Sequence, residues 1–304
     1  MAVMQHSIHS KFILTPIIGT LKDAVNACAG IGNGIETQSL GEYVLQTTFL
    51  KMTGTSEQKL KCICWEMATN DYDYRYRYLK KNYGECSSYS DKCSIYKDML
   101  DMIRKLDASI NVDLLFDDVD ISSKEEDLIN NKILEMQKLQ ELNKNRKLTE
   151  EEIENLSKGM KAHYAKKGLS DKEKAHFSRI VLFESIQDEM EKIIGNTLLA
   201  QWEQHSYINY SQKWKTLSNY SFAEGDNLLV KELQDFYTDI VYAHRNRCAH
   251  NLGSYQNNLP TLKTLENEKF VFDNYYFRFS ILILLDEIFI RLYKMYQEGM
   301  EKTI

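Results

Sequence analysis

The chain has 304 residues, of which 43% are hydrophobic, and a formal net charge of −6. A hydrophobic fraction of this size supports a sizeable core and excludes wholesale disorder, while the negative net charge argues against a protein that coats nucleic acid non-specifically. The sequence contains only two prolines, Pro16 and Pro260, and long stretches rich in Leu, Lys and Glu, which favours long helices. We therefore predict an all-α fold.

No targeting signal or membrane span is visible in the sequence. Residues 1–10 lack a basic flank followed by an apolar run, and the most apolar segment, Phe277–Ile290, contains three charged residues. The six cysteines lack zinc-finger spacing. Reduced thiols that fill apolar gaps are the favoured interpretation, although Cys86 and Cys93 are near enough along the chain to meet across a loop. We expect a cytosolic protein with no membrane association, no metal and no cofactor.

Helical periodicity dominates the N-terminal third. Apolar residues recur at helical spacing over Phe12–Cys28, which predicts a first helix. The glycine-rich stretch that follows is interpreted as a helix end and turn, because no strand precedes it as a phosphate-binding loop would require. Thr37–Leu79 predicts one or two long helices, with Gly54 as a candidate break, and Ile95–Leu106 predicts a further helix.

The stretch DYDYRYRY, residues 71–78, alternates strictly between charged residues and tyrosines. Such alternation is typical of a strand, but on a helix it brings Tyr72 next to Tyr76 and Tyr74 next to Tyr78. Tyrosines beside arginines can stack on RNA bases, and they can also pack against neighbouring helices. Packing is the favoured interpretation.

Ser123–His176 is dominated by Lys, Glu, Asn and Leu. Three capping boxes punctuate this segment, each with a hydroxyl at the N-cap and a carboxylate three residues later: Ser123 with Glu126, Thr149 with Glu152, and Ser170 with Glu173. They predict helices over Lys124–Leu142, Glu150–Tyr164 and Asp171–Gln204. The first two have thin apolar stripes, so we predict that 123–176 is a charged helical hairpin inserted into a single domain, 1–304. A solvated face is favoured over a partner-binding or lid role.

Two apolar helices are predicted in the last third of the chain. The first starts at an N-cap provided by Asp226 and ends just before Gly253, and its apolar face is formed by Leu229, Leu233, Phe236, Ile240, His244 and Cys248. The second starts at Asp273 or Asn274, and its apolar face is formed by Phe277, Ile281, Leu284, Ile288, Leu292 and Met295.

The octapeptide HRNRCAHN, residues 244–251, concentrates cationic side chains at the end of the first of these helices. Arg245, Asn246 and His250 suit RNA cleavage, because imidazole transfers protons near neutral pH, guanidinium binds phosphate and an amide orients either partner. The 2′-hydroxyl of RNA is the nucleophile, so no metal is required. On an ideal helix Arg245 and His250 lie about 140° apart, so one copy of the chain does not bring them together. In a dimer each residue would work across the interface with its symmetry mate. The alternative is that these cations only complement the helix dipole.

The segment RNRCAH, Arg245–His250, resembles the Arg-x4-His motif of HEPN-domain ribonucleases, and the layout of residues 226–296 is similar to that family. The resemblance implies a HEPN-like helical bundle and a metal-independent endoribonuclease that leaves 2′,3′-cyclic phosphate ends. It implies a homodimer with a composite active site, because the chain has one such motif and HEPN domains usually pair. Family members act as toxins or in abortive infection and CRISPR-associated antiviral defence, so an antitoxin or defence partner is expected. Leu252 replaces the tyrosine through which some of these toxins are silenced, so that form of control is not expected.

The resemblance carries over residue by residue. Arg245 and His250 are expected to be catalytic with Asn246 in support, while their neighbours Arg247 and His244 are expected to bind the RNA substrate. Two alternatives stay open: a non-catalytic helical module that binds RNA or protein, and an inactive HEPN subunit of a larger complex.

Overall fold

The computed structural model describes residues 8–32, 35–80, 86–195, 199, 222–250 and 275–303. Over these residues helices predominate and the only strands are those of one two-stranded hairpin, which confirms the prediction of an all-α fold. None of the helices within these ranges combines the length and apolarity that a bilayer crossing requires.

The chain divides into two compact units, a main unit formed by Met1–Val112 with Phe183–Ile304 and a second unit formed by Asp113–Leu182. The elements of the main unit are α1 (Ile8–Leu14), α2 (Ile18–Ala27), a 3₁₀ turn (Ile35–Thr37), α3 (Gln38–Asn70), α4 (Tyr72–Lys80), α5 (Tyr89–Leu106), β1 (Phe222–Glu224), β2 (Asn227–Leu229), a short helix (Lys231–Phe236), a π-helix (Tyr237–Tyr242), the motif helix (Ala243–His250) and the C-terminal helix (Tyr275–Thr303). The second unit contains α6 (Glu125–Lys144), α7 (Glu150–Lys167) and the first part of α8 (Asp171–Ile194), and a 3₁₀ turn (Val112–Phe116) leads into it. The insertion bounds 123–176 stay a prediction.

The single helix predicted over Phe12–Cys28 is wrong, because α1 ends at Leu14 and α2 begins at Ile18. Pro16 lies between them, and proline removes a backbone donor and disfavours helical geometry in the residue before it. The glycine-rich stretch after α2 is a turn, as predicted, with Gly30 at φ 83°, a conformation that favours glycine.

Helix α3 is 33 residues long and runs through Gly54 without a break. At about 1.5 Å per residue it measures about 50 Å, and its buried face includes Leu45, Phe49 and Met67. The tyrosine-rich stretch is helical and forms α4, so its alternation does not mark a strand.

The tyrosines of α4 divide between the core and the surface. Tyr74 is buried and stacks on Tyr78 with ring centroids 6.0 Å apart, which confirms the packing interpretation for that pair. Tyr72 and Tyr76 remain 77% and 56% exposed. The two i,i+4 pairs therefore have different surroundings, and stacking on RNA stays untested for the exposed pair.

The C-terminal helix forms the centre of the main unit and packs against α3, α5 and α1. Its Asp286 forms a buried ion pair with Lys59 of α3, with the carboxylate and ammonium 2.6 Å apart and both side chains 4% exposed. The second carboxylate oxygen of Asp286 accepts a hydrogen bond from the backbone N–H of Ile17 at 2.8 Å. One carboxylate therefore links three segments of the fold.

The helix predicted to start at Asp226 is wrong. Phe222–Glu224 pairs antiparallel with Asn227–Leu229, and Asp226 lies in the turn beside Gly225, whose φ is 51°. A glycine in the left-handed region suits a two-residue hairpin turn. The helix begins at Lys231 instead.

A π-helix over Tyr237–Tyr242 separates the short helix from the motif helix. A π-helix holds more residues per turn than an α-helix, so it rotates everything that follows it. Tyr237 and Val241 are therefore buried in this segment, whereas Ile240, predicted on the apolar face, is half-buried.

The second unit has a small core formed by Leu128, Leu169, Phe177 and Val181. The capping boxes at Thr149 and Ser170 both form, and Thr149 begins α7 as predicted. The predicted box at Ser123 does not start α6, because the N-cap is Lys124 and its side chain makes no capping bond. Helix α7 buries none of its residues, in agreement with a solvated face. Helix α8 ends at Ile194, before the predicted end at Gln204, which lies outside the described residues.

None of the six cysteines, all of which lie within the described residues, forms a disulfide. The possible pairing of Cys86 with Cys93 is therefore not formed, and Cys93 is half-buried whereas the others are buried. The burial of five of them agrees with the interpretation that these thiols fill apolar gaps.

Candidate functional site

The motif helix packs against α3 and follows directly from the π-helix. Arg245, Asn246 and Arg247 are half-buried in this helix, whereas His244 is buried. His250 is the last residue of the helix, and its side chain lies outside the described residues. The predicted stop at Gly253 lies outside them as well. The structure therefore locates four of the five predicted site side chains and the backbone of the fifth.

Arg245 forms a two-pronged ion pair with Glu57 of α3. Its Nε and Nη2 atoms each donate to one carboxylate oxygen of Glu57, and both distances are 3.2 Å. The two side chains are 23% and 13% exposed. The third guanidinium nitrogen, Nη1, donates to Oδ1 of Asn246 at 3.2 Å. Asn246 therefore helps to fix the orientation of Arg245.

A narrow pocket lies beside Arg245 in the main unit. Its described lining is formed by Thr53, Ser56, Glu57, Ser87, Lys92, Tyr237, Val241, Tyr242, Arg245 and Leu282. These residues come from α3, α5, the π-helix, the motif helix, the C-terminal helix and the loop before α5. The pocket thus joins the motif to parts of the chain far from it in sequence.

Lys92 is the second cation of this pocket, and it is only 1% exposed. Its ammonium donates to the backbone oxygens of Cys86 at 2.8 Å and Ser87 at 3.4 Å, and lies 5.4 Å from the centre of the Tyr237 ring. Burial lowers the pKa of Lys92 to about 8, and the charge of Arg245 lowers it as well, while Glu57 opposes the shift. The pocket therefore combines two cations with one carboxylate among its described residues.

His244 lies in the core rather than at the surface. Its Nε2 atom is 3.2 Å from the hydroxyl of Tyr275 and 3.4 Å from the Sγ atom of Cys248, and its ring contacts Phe49 at a centroid distance of 5.1 Å. Burial lowers the pKa of His244 to about 2, with further lowering by nearby arginines. Its imidazole is therefore neutral at physiological pH, and a side chain 5% exposed does not face a substrate.

Arg247 lies on the other side of the motif helix from the pocket residues, beside His244. Its Nη2 atom is 3.5 Å from Nδ1 of His244, and its buried Nε–H has no acceptor among the described residues. Burial lowers the pKa of Arg278, from the C-terminal helix, to about 9, and the charge of Arg247 lowers it further. Glu42 opposes that shift, and burial raises the pKa of Glu42 itself. The two arginines form a second cationic group.

The structure brings Arg245 and Asn246 together in one hydrogen-bonded group and places Arg247 with His244 in another. Sequence reasoning missed Glu57 and Lys92, which lie 188 and 153 positions before Arg245. One signal was present: the apolar face of α3 is interrupted by a run of polar residues at Thr53, Ser56, Glu57 and Lys59. Polar residues at core positions of a helix often mark a site or a buried ion pair.

Within the described residues, no group of three or more His, Cys, Asp or Glu side chains is arranged to hold a metal ion. Comparisons with protein-family models, with curated proteins and with solved structures found no match.

Proposed function

We propose that this protein is a metal-independent HEPN-type endoribonuclease. The observation that carries the proposal is the motif helix itself, which holds Arg245, hydrogen-bonded to Asn246, in the lining of a pocket that also contains Lys92, about one turn before His250. The resemblance of Arg245–His250 to the Arg-x4-His motif of that family supports the same assignment.

The proposed reaction is an internal transfer at phosphorus. The 2′-oxygen of one nucleotide forms a bond to the adjacent phosphorus and the bond to the 5′-oxygen breaks, which leaves a 2′,3′-cyclic phosphate and a 5′-hydroxyl. His250 takes the proton from the 2′-hydroxyl or gives a proton to the departing 5′-oxygen, and solvent water carries the other proton. Arg245 stabilises the charge that develops on the phosphoryl oxygens, and Asn246 orients Arg245.

Arg247 and His244 have different places in this proposal. Arg247 is half-buried and charged, and in this proposal the exposed part of its guanidinium contacts the RNA backbone. His244 is buried and neutral and supports Arg247 from the core, which replaces the direct substrate contact expected from the sequence.

The protein acts as a homodimer in this proposal, because one chain carries one Arg-x4-His motif and a second copy completes a composite site. Its place is the cytoplasm, where a toxin or anti-phage effector reaches RNA. An antitoxin or defence partner protein restrains it there. Expression of the intact chain should therefore slow growth, and the His250→Ala variant should not.

A non-catalytic helical module that binds RNA or protein is the second candidate. One observation favours it: both prongs of the Arg245 fork are taken by Glu57, so the guanidinium does not present them to a ligand as it stands. An inactive HEPN subunit of a larger complex would share this property.

Cleavage by the purified full chain separates these candidates. With EDTA present, the protein should cut RNA, and mass spectrometry should identify cyclic phosphate ends, which are lighter than linear ones by one water. Arg245→Ala and His250→Ala should abolish cutting, whereas His163→Ala on the exposed helix α7 should not. Equal cutting by the parent and both motif variants would contradict the site assignment, and binding without cutting would favour the second candidate.

A further inference from the structure

We propose that Glu57 is an internal competitor of the RNA phosphate: its carboxylate occupies the Arg245 fork in the free protein, and a backbone phosphate must displace it. The inference rests on the proposed function for the identity of the incoming anion. The competition itself follows from the contacts of the two side chains.

Glu57 contacts Arg245 in the same two-pronged arrangement in which an arginine binds a phosphate. Two parallel N–H donors of one guanidinium reach two oxygens of one anion, each at 3.2 Å. A guanidinium fork matches a carboxylate and a phosphate equally well in this two-pronged manner. The two anions are therefore alternatives at one position, and both cannot occupy it at once.

The described residues that line the pocket beside the pair carry a net positive charge. Among the described lining residues, Arg245 and Lys92 are cationic at neutral pH and Glu57 is the single acid. Cys86 and Asp91, outside the lining, also raise the pKa of Lys92. The side chain of Ser56 adds a hydroxyl to the pocket wall. An anion that displaces Glu57 therefore pairs with Arg245 in a pocket that also contains the charge of Lys92.

Removing the charge of Glu57 shows whether its carboxylate competes with the RNA phosphate or only positions Arg245. If the carboxylate only positions Arg245, its removal loosens the guanidinium and weakens RNA binding. If it competes, Glu57→Gln frees the fork and tightens RNA binding, because glutamine keeps the shape of the side chain without its charge. Hydrogen bonds to charged groups are strong enough that freeing the fork should tighten binding about tenfold.

The experiment measures the Kd of a fluorescein-labelled 2′-O-methyl oligoribonucleotide, by anisotropy at fixed salt, since its blocked 2′-oxygen prevents cleavage. Glu57→Gln should bind about tenfold more tightly than the parent. Glu66→Gln is the matched control, because Glu66 also lies on α3, pairs with His9 at 3.1 Å and is 14% exposed, and it should leave the Kd within about twofold. Circular dichroism checks that each variant is folded, and Glu57→Ser, a second neutral replacement, should shift the Kd in the same direction.

The dependence on Arg245 makes the test specific. In an Arg245→Gln background, Glu57→Gln should change the Kd by less than about twofold, because there is no fork to free. Unchanged or weaker binding by Glu57→Gln, an equal effect of Glu66→Gln, or an undiminished effect without Arg245 would each overturn the competition. Unmodified RNA is assayed in parallel. If Glu57→Gln binds more tightly but the parent does not cleave RNA, the ribonuclease proposal is refuted and the competition stands. If the parent cleaves RNA but Glu57→Gln does not bind more tightly, the competition is refuted and the ribonuclease proposal stands.

Discussion

Replacing Asp286 with alanine should destabilise the main unit severely. The carboxylate lies 2.6 Å from the Lys59 ammonium and accepts the Ile17 N–H at 2.8 Å. Both partners of the ion pair are 4% exposed, so water cannot replace the lost contacts. Breaking a buried pair by removing one partner costs about 3–5 kcal/mol, and an unsatisfied backbone N–H costs about 1–3 kcal/mol. These costs overlap, and the expected loss is about 4–6 kcal/mol, a large part of a typical total stability of about 5–15 kcal/mol.

Urea unfolding followed by circular dichroism and tryptophan fluorescence measures this loss, and the two probes must coincide for a two-state treatment. The double variant Lys59→Met/Asp286→Leu is the control, because it removes both charges and leaves only the Ile17 N–H without a partner. It should lose clearly less than Asp286→Ala, since apolar replacement of a buried pair is often neutral. A loss below about 1 kcal/mol for Asp286→Ala, or an equal loss in both variants, would show that the carboxylate is not what holds these segments together.

Three further predictions concern stability, and urea unfolding tests each. The pKa of His244 is about 2 in the folded protein, below the value of about 6.5 in the unfolded chain. The contribution of its neutral imidazole to the free energy of unfolding should therefore be complete above pH 6.5 and be lost as the pH falls, by about 2 kcal/mol at pH 5. His244→Gln should lack this part of the pH dependence, and identical pH profiles would contradict the argument. A Cβ atom at Gly299 would lie 3.2 Å from Leu106, so Gly299→Val should cost about 1–3 kcal/mol, whereas Gly54→Ala, with open space around it, should gain about 0.5–1 kcal/mol. Thr149→Ala should cost about 1 kcal/mol by removing the cap of α7, and no change would mean that the capping bonds do not stabilise this helix.

Local signals in the sequence located most helices. The capping box at Thr149 gave the start of α7 correctly, because it acts within four residues. Pro16 and the pair Gly225–Asp226 were equally local signals, for a helix break and a hairpin turn, and they were overlooked in favour of apolar periodicity. Periodicity continues across such breaks because a buried face can pass from one element to the next.

The candidate site depended on contacts that no local pattern encodes. Arg245 meets Glu57 across 188 positions, and the choice of Glu57 over the other acids of the chain is decided by how α3 packs. The burial of His244 was visible in the apolar spacing of its helix, but the pairing with Tyr275 depends on the C-terminal helix. Sequence therefore indicated the motif, and packing decided which of its members face the pocket.

The π-helix over Tyr237–Tyr242 makes this part of the chain sensitive to length rather than to residue type. Deleting Ile240 would let the segment relax toward regular α-helix and turn the motif helix by about 100°, the rotation that one residue makes. Arg245 would then leave Glu57, although no residue of the motif had changed. Variation among natural forms of this protein should accordingly include substitutions within residues 237–242 and exclude single-residue insertions or deletions there.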